Sequence, residues 1–162
     1  MNYTLFSELE AGTLCPGETE SEQVFMERLL SAVFSEESEE MRGRINDKLA
    51  PRFTGCSAEE KSLTVSFTAD EWMLNPNGTL HGGLLNTTID IVMSVLSRYL
   101  AKKRVMVTVQ LSTNFLRPIQ RGETFLVHAA ADHAGRRSVV LHAQVTAAGS
   151  TKPAATATAV FM

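Results

Sequence analysis

Residues 75–100 of the chain, NPNGTLHGGLLNTTIDIVMSVLSRYL, carry an isolated carboxylate, Asp90. It is the only Asp, Glu, Lys or Arg between positions 72 and 97. A carboxylate among apolar residues is costly to bury, and such a group suits the role of a general base or a nucleophile. The competing interpretation is the solvated edge of an amphipathic helix, and Asp90 taken alone leaves the two about even. A solvated edge usually carries several Lys or Glu residues, whereas this one carries Ser, Asn and Thr.

Two glycines, Gly82 and Gly83, precede Asp90 at the predicted start of the same helix. The first backbone N–H groups of a helix have no helical partner, and the helix dipole is positive there. These groups can receive an anion or an oxygen on which negative charge develops, and a residue without Cβ allows close approach. For a bare Gly-Gly pair, however, an ordinary loop-to-helix turn is the more frequent explanation.

The histidines do not predict a metal site. His128 and His142 alternate with apolar residues on predicted strands, which places them on a surface, and His133 falls in a turn. None of the three lies at metal-ligand spacing from another His or Cys. Thr108 shares a predicted polar strand face with Gln110, Ser112 and Asn114, and such faces are usually solvated.

Composition limits the class of protein. The chain has 162 residues, 44% of them hydrophobic and 20% charged, which is typical of one globular domain. A net charge of −3 argues against a nucleic-acid binder. Two cysteines do not make a disulfide framework, the N-terminus does not resemble a signal peptide, and polar residues interrupt the apolar stretch 84–100. We therefore expect a cytoplasmic protein with no membrane segment.

The N-terminal part predicts helices. Residues 1–20 show little periodicity and are expected to be an arm or a frayed start. Apolar residues then recur at helical spacing from a cap at Ser21 to Val33. The acidic run 35–40 is expected to open a second short helix, which Pro51 ends.

The rest of the chain alternates with period two except for one long helix. Strands are predicted at 62–68, with a shorter one around Phe53, and then four more between 105 and 161. Residues 83–100 form a helix so broadly apolar that it must be enclosed. Short connections imply antiparallel neighbours. The predicted fold is α+β, an antiparallel β-sheet wrapped around one long central helix, with residues 1–50 packed on a domain of residues 51–162.

The pattern NPNGTLHGG, followed by six residues and Asp90, resembles the hotdog-fold thioesterases of the PaaI-like, acyl-CoA thioesterase class. The segment VTVQLSTNFLRPIQRGE resembles that family's next strand and corner. The match runs from about Ser62 to Phe161, and the first 50 residues are only loosely similar. The resemblance implies the hotdog fold and hydrolysis of an acyl-CoA to a free acid and CoA, without metal or cofactor.

The resemblance also implies roles for single residues. Asp90 corresponds to the family's carboxylate, which acts as nucleophile or as general base for water. Gly82 corresponds to the residue whose backbone N–H polarises the thioester carbonyl. Asn75 and His81 correspond to the polar pair that helps position water and the acyl group, and Thr108 to an assisting hydroxyl.

The phosphates of coenzyme A call for basic residues near the mouth of the site. The candidates for substrate and CoA binding are Gly83, Asn86, Arg117, Arg136 and Arg137, with Arg121 and residues 102–104 as further basic positions.

Helix geometry predicts that the site needs two chains. Gly82 and Asp90 are eight residues apart, which is about 12 Å along a helix. A reacting carbonyl must lie about 3 Å from both its donor and its attacker. One helix cannot place both groups on one atom, but two helices packed antiparallel across a two-fold axis can. We therefore expect a homodimer with Gly82 of one subunit facing Asp90 of the other, and a dimer of dimers is an open alternative.

Two other functions remain as alternatives. One is a non-catalytic hotdog module that binds acyl-CoA, although the acidic N-terminal region argues against the DNA-binding segment that such proteins often carry. The other is a hydratase or dehydratase, a chemistry that usually pairs the Asp with a His a few residues later. No His follows Asp90 until His128, so this alternative ranks last. The acyl group is left open.

Overall fold

The computed structural model describes residues 1–35, 41–102 and 105–162. Four helices and six strands follow one another in these ranges. The helices are α1 (Thr4–Ala11), α2 (Glu22–Ser35), α3 (Ile45–Lys48) and α4 (Gly82–Ala101). The strands are β1 (Arg52–Ser57), β2 (Ser62–Thr68), β3 (Thr108–Phe115), β4 (Thr124–Ala134), β5 (Val139–Ala147) and β6 (Pro153–Phe161).

The six strands form one sheet in the order β1-β2-β4-β5-β6-β3, and every neighbouring pair is antiparallel. Its apolar face packs on α4, and buried residues largely alternate with less buried ones along β2, β4, β5 and β6. Helix α4 buries most of its length, including Ile89, Val92 and Leu96. The predicted α+β architecture, a sheet wrapped around one long helix, is confirmed. Within the described part of the chain, no helix is both long and apolar enough to cross a membrane.

The N-terminal residues differ from the prediction of an arm or frayed start. Residues 4–11 form α1, and Met1, Phe6 and Leu9 are buried in the main core. The helix is short and only two of its residues are buried, so its apolar positions repeat too few times to give a clear period. Helix α2 confirms the helix predicted from Ser21, and α3 lies within the second predicted helix. The opening of that helix at 36–40 lies outside the described residues.

Strand β3 forms one edge of the sheet. Its only strand neighbour in the described structure is β6, so the backbone groups on its other side are unpaired. Large apolar side chains are nevertheless exposed along it and beside it. They are Val105, Val107, Val109, Phe115, Leu116 and Met162, each at least 50% exposed. An apolar sheet edge of this kind is a template for pairing with another chain.

Candidate active site

The loop before α4 is held by the side chain of Asn75. Its Oδ1 accepts hydrogen bonds from the backbone N–H groups of Asn77 at 2.9 Å and Thr79 at 3.3 Å. Its Nδ2 donates to the hydroxyl of Thr79 at 2.9 Å, and Gly78 supplies the positive φ of 75° that closes the turn. A backbone bond from Leu80 N–H to the Ile119 carbonyl then ties the loop to the corner after β3. Asn75 therefore fixes the conformation of the loop that leads into α4.

His81 caps the first turn of α4. Its Nδ1 accepts from the Gly83 N–H at 2.9 Å, and its carbonyl accepts from the N–H groups of Leu84 and Leu85. The fourth donor of the turn is Gly82, and no hydrogen bond within the described residues involves its N–H. The cap thus uses three of the four end donors and leaves the Gly82 N–H open at the positive end of the helix dipole.

The Gly82 N–H lies beside a pocket of about 350 Å³ between the start of α4 and the corner after β3. Phe115 forms a wall of this pocket, since a Cβ added to Gly82 would lie 3.4 Å from the Phe115 ring. The other lining residues include Asn75, Thr79, Leu85, Leu116 and Arg117. Most of the lining is apolar, and an open backbone donor in such a setting can polarise a carbonyl oxygen.

Asp90 lies two turns further along α4 and is half-buried. The hydroxyl of Thr108 on β3 donates to its Oδ1 at 2.8 Å. This contact corrects the predicted position of Thr108 on the polar face with Gln110. A bulge between Thr108 and Gln110 inserts Val109, so Thr108 pairs with the buried Phe161 and faces the helix, while Gln110 pairs with Val160 and faces away. The hydroxyl thereby fixes one carboxylate oxygen and leaves the other available.

Asn86, midway between Gly82 and Asp90, also contacts β3. Its Oδ1 accepts from the hydroxyl of Thr113 at 2.6 Å. Strand β3 therefore runs alongside α4 in the opposite direction, with Thr108 at Asp90, Thr113 at Asn86 and Phe115 at Gly82. Sequence analysis did not identify Thr113 or Phe115 as site residues, because each appears there only as one more residue of an alternating strand.

Gly82 and Asp90 stay apart within one chain. Both lie on the continuous helix α4, and eight residues of helix span about 12 Å. The pocket beside Gly82 does not include Asp90 among its lining residues. The structure thus brings Asn75, His81 and Gly82 together at one end of the helix, and Asp90 with Thr108 further along it.

The predicted basic residues divide between these two groups. Arg117 lines the pocket beside Gly82 and donates from Nη1 to the Pro153 carbonyl at 2.5 Å. Arg136 and Arg137 are exposed in the turn between β4 and β5. This turn lies at the Thr108 end of the sheet, because Val139, which follows it, and Thr108 both pair with Phe161.

The remaining basic candidates are engaged elsewhere or lie outside the described structure. Arg121 forms an exposed ion pair with Glu71 at 2.5 Å, and Lys102 pairs with Glu22 at 3.0 Å. Lys103 and Arg104 lie outside the described residues.

The other histidines lie away from both groups. His128 and His142 project from the face of the sheet opposite α4, as predicted, where His128 Nδ1 contacts the Thr64 hydroxyl at 2.9 Å. His128 is half-buried, and this burial lowers its pKa. His142 pairs with Asp132 at 2.8 Å. Across the described ranges, no three His, Cys, Asp or Glu side chains are close enough to hold a metal ion.

Known proteins resemble this chain in sequence and in fold. The model of the thioesterase superfamily matches residues 77–154, which include Gly82, Asp90 and Thr108. A predicted esterase of Pseudomonas aeruginosa is 32% identical over 100 residues, which cover 61% of this chain and 74% of that protein. The chain belongs to the thioesterase superfamily. The predicted class, a thioester hydrolase, is thereby confirmed.

Solved structures show the same fold. A predicted thioesterase of Ralstonia eutropha JMP134, described as related to phenylacetic acid degradation, is 28% identical with a TM-score of 0.70. The match covers 82% of this chain and 97% of that one. The protein smu.793 of Streptococcus mutans UA159, solved with acetyl CoA bound, is 28% identical with a TM-score of 0.60, and 68% and 87% of the two chains are covered. The fold is therefore the PaaI-like hotdog fold that the sequence motif implied.

Proposed function

We propose that this thioesterase hydrolyses acyl-CoA thioesters at a site shared by two copies of the chain, between Gly82 of one and Asp90 of the other. The observation that carries the proposal is the open N–H of Gly82 at one end of α4 and the half-buried, oriented carboxylate of Asp90 further along it. The S. mutans relative binds acetyl CoA, which supports a CoA ester as the substrate class.

A two-fold axis near Asn86 brings the two groups together. If residue 82 of one α4 faces residue 90 of an antiparallel partner, the midpoint, residue 86, faces its own copy. Strand β3 places the axis at the same height. Thr108 contacts Asp90 and Phe115 lies against Gly82, so the axis would cross the strand midway between them, between Leu111 and Ser112. The Asn86–Thr113 hydrogen bond joins helix and strand close to this axis.

The open edge of β3 supports the same assembly. A partner strand would satisfy its unpaired backbone groups and cover Val107, Val109 and Phe115, which are 58%, 58% and 56% exposed. Burial of apolar surface stabilises an interface by roughly 25 cal/mol per Å² before the costs of association. The strand whose exposed apolar side chains a partner would bury is thus β3, the same strand that carries Thr108 and Phe115.

The chemistry then proceeds as follows. The thioester oxygen accepts a hydrogen bond from the Gly82 N–H, where the helix dipole stabilises the negative charge that develops on it. Asp90 either attacks the carbonyl carbon, giving an anhydride that water hydrolyses, or removes a proton from a water that attacks. In both cases the carbon–sulfur bond breaks and the CoA thiolate takes up a proton. Thr108 keeps one Asp90 oxygen bound and the other directed to the reacting atom.

Asn75 and His81 act by positioning. Asn75 uses its oxygen and one N–H on the loop, so its second N–H is the one available to substrate or water. His81 uses Nδ1 on Gly83, which orients the first turn and leaves the Gly82 N–H to the substrate.

Arg117 beside Gly82 of one subunit and the Arg136–Arg137 turn near Asp90 of the other flank the shared cleft from two sides. We propose them as the CoA phosphate contacts.

The test is a thioesterase assay over a panel of acyl-CoA substrates with wild type and Asp90→Asn. The variant keeps the shape of the side chain and removes its charge. We expect kcat to fall roughly 10²–10⁴-fold, the range of general-base catalysis, with an unchanged Tm. Retention of most of the activity would refute the role of Asp90. Binding of acyl-CoA by the wild type without any turnover would instead favour the non-catalytic module.

A further inference from the structure

The face of the sheet that points away from α4, which we call the outer face, lacks the charged residues of a solvated surface. Strands β2–β6 contain no Lys, Arg or Glu, and their one acid is Asp132, whereas 20% of the whole chain is charged. Charged residues instead border these strands in the turns, at 59–61, 121, 123, 136–137 and 152. A solvated surface usually carries roughly 25–35% charged residues. A charge-free centre inside a charged rim is the anatomy of an interface.

The outer face carries neutral hydrogen-bonding side chains instead. One row of ladder partners crosses five strands and consists of Thr64, His128, Gln144, Thr156 and Asn114. Hydroxyl groups, amide groups and a neutral imidazole each donate as well as accept. Half-buried apolar side chains of the same face lie beside this row, namely Leu126, Val140 and Val160. The face can therefore bury apolar surface against a copy of itself and also hydrogen-bond with that copy.

The titratable groups of the outer face add little charge to it. Asp132 Oδ1 lies 2.8 Å from His142 Nδ1, so the one carboxylate of these strands is already paired. Burial lowers the pKa of His128, which favours its neutral form at neutral pH, and its Nδ1 contacts the Thr64 hydroxyl at 2.9 Å. Two such faces therefore meet with little electrostatic repulsion.

We propose that the outer face packs on the outer face of a second copy, so that two dimers join into a tetramer through their sheets. The proposal rests on the dimer described above, because pairing of two β3 edges continues the sheet and places two outer faces side by side. Charge selects the occupant. Without Lys or Arg, these strands offer nothing to an acidic protein or a nucleic acid, whereas two copies of the face are complementary in their donors and acceptors.

The area of the contact suits a stable assembly. The outer face of one chain spans about four strand spacings of ~4.8 Å and about seven residues of ~3.3 Å, a footprint of roughly 450 Å². Two such faces joined at β3 offer roughly 900 Å² to a second dimer, so about 1,800 Å² is buried in total, within the range of specific interfaces. Each chain alone offers only half of this area, which makes the dimer the unit that associates.

The test measures the mass of the full-length protein by sedimentation velocity. Wild type should sediment as four chains. Thr158→Lys and Gln144→Lys each place a cation on an exposed position of the outer face. Because a symmetric contact brings these cations together, both variants should sediment as two chains, with association of dimers weakened more than tenfold. Thr19→Lys makes the same substitution at an exposed position in the turn before α2 and should remain a tetramer.

Activity separates this proposal from the shared site. The dimeric lysine variants should keep the wild-type kcat/KM, because Gly82 and Asp90 meet within one dimer, and their Tm shows that they are folded. A wild type of two chains would overturn the tetramer while leaving the shared site intact, and so would folded Thr158→Lys and Gln144→Lys proteins that remain tetramers. A wild type that is active as a single chain would instead overturn the proposed function, and the tetramer with it.

Discussion

Two inactive variants should restore activity to each other if the site is shared. Asp90→Asn removes the attacking or basic group, and Gly82→Pro removes the donor. Proline suits position 82 because it is the first residue of α4 and its N–H makes no hydrogen bond within the described residues. His81 before it has φ −64° and ψ 128°, an extended conformation that a following proline favours. The helix should therefore form normally.

The magnitudes follow from the geometry. Loss of an oxyanion donor costs roughly 10²–10³-fold in kcat, and loss of a general base roughly 10²–10⁴-fold. In a random mixture of the two variants, about half of the dimers contain one subunit of each. Every such dimer has one site with both defects and one site with none. The mixture should therefore recover about a quarter of the wild-type activity per subunit.

The assay measures acyl-CoA hydrolysis after the two variants are unfolded together and refolded, with mass spectrometry to count the mixed dimers. Gly82→Ala is the matched control, because its Cβ lies at the same 3.4 Å from the Phe115 ring but its N–H remains. This control should keep most of its activity. Mixed dimers that are no more active than their parents would refute the shared site, because a shared site predicts one intact pair of Gly82 and Asp90 in every mixed dimer.

Two further predictions concern the axis and the thiols. Asn86→Cys should form a disulfide between subunits on oxidation, because the residue nearest the proposed two-fold axis faces its own copy and a disulfide needs Cβ atoms about 3.5–4.5 Å apart. Ser94→Cys, displaced along the helix, should not; absence of the Asn86→Cys cross-link would place the axis elsewhere. Burial raises the pKa of the half-buried Cys56 to about 11, whereas Cys15 is exposed. At pH 8 a maleimide should therefore label Cys15 first. The Cys15→Ser variant, which keeps only Cys56, should react quickly only after denaturation. Rapid labelling of Cys56 in the folded protein would contradict this prediction.

The central elements were predictable because each has a clear hydrophobic period. The broad apolar surface of α4 identified it as an enclosed helix, and alternation identified the strands that cover it. The position of Gly82 and Gly83 at a helix start indicated unpaired backbone donors, since every helix leaves such groups there, and the resemblance of NPNGTLHGG to the hotdog thioesterases singled out Gly82. These predictions needed only local information, which the order of residues contains.

The failures have a common cause, which is dependence on contacts between distant residues. Thr108 was placed on the wrong face because alternation alone cannot show a bulge, and the inserted Val109 reverses every side chain before it. Helix α1 was missed because its stability comes from docking Phe6 and Glu10 on α4 rather than from its own period. The partnership of Asn86 with Thr113 likewise appears only once β3 lies beside α4.

In the proposed dimer, these contacts between α4 and β3 would also link assembly to catalysis. Asp90 is tied to Thr108 and Asn86 to Thr113, while Gly82 lies against Phe115, so the strand follows the helix as one unit. Any two-fold rotation that brings Gly82 to the partner's Asp90 must also bring the two β3 edges near each other. The exposed apolar residues of that edge then favour the same arrangement that the chemistry requires. A substitution that shifts β3 along α4 should therefore weaken association and turnover together, because β3 both forms the edge that the partner would cover and contacts the proposed site residues.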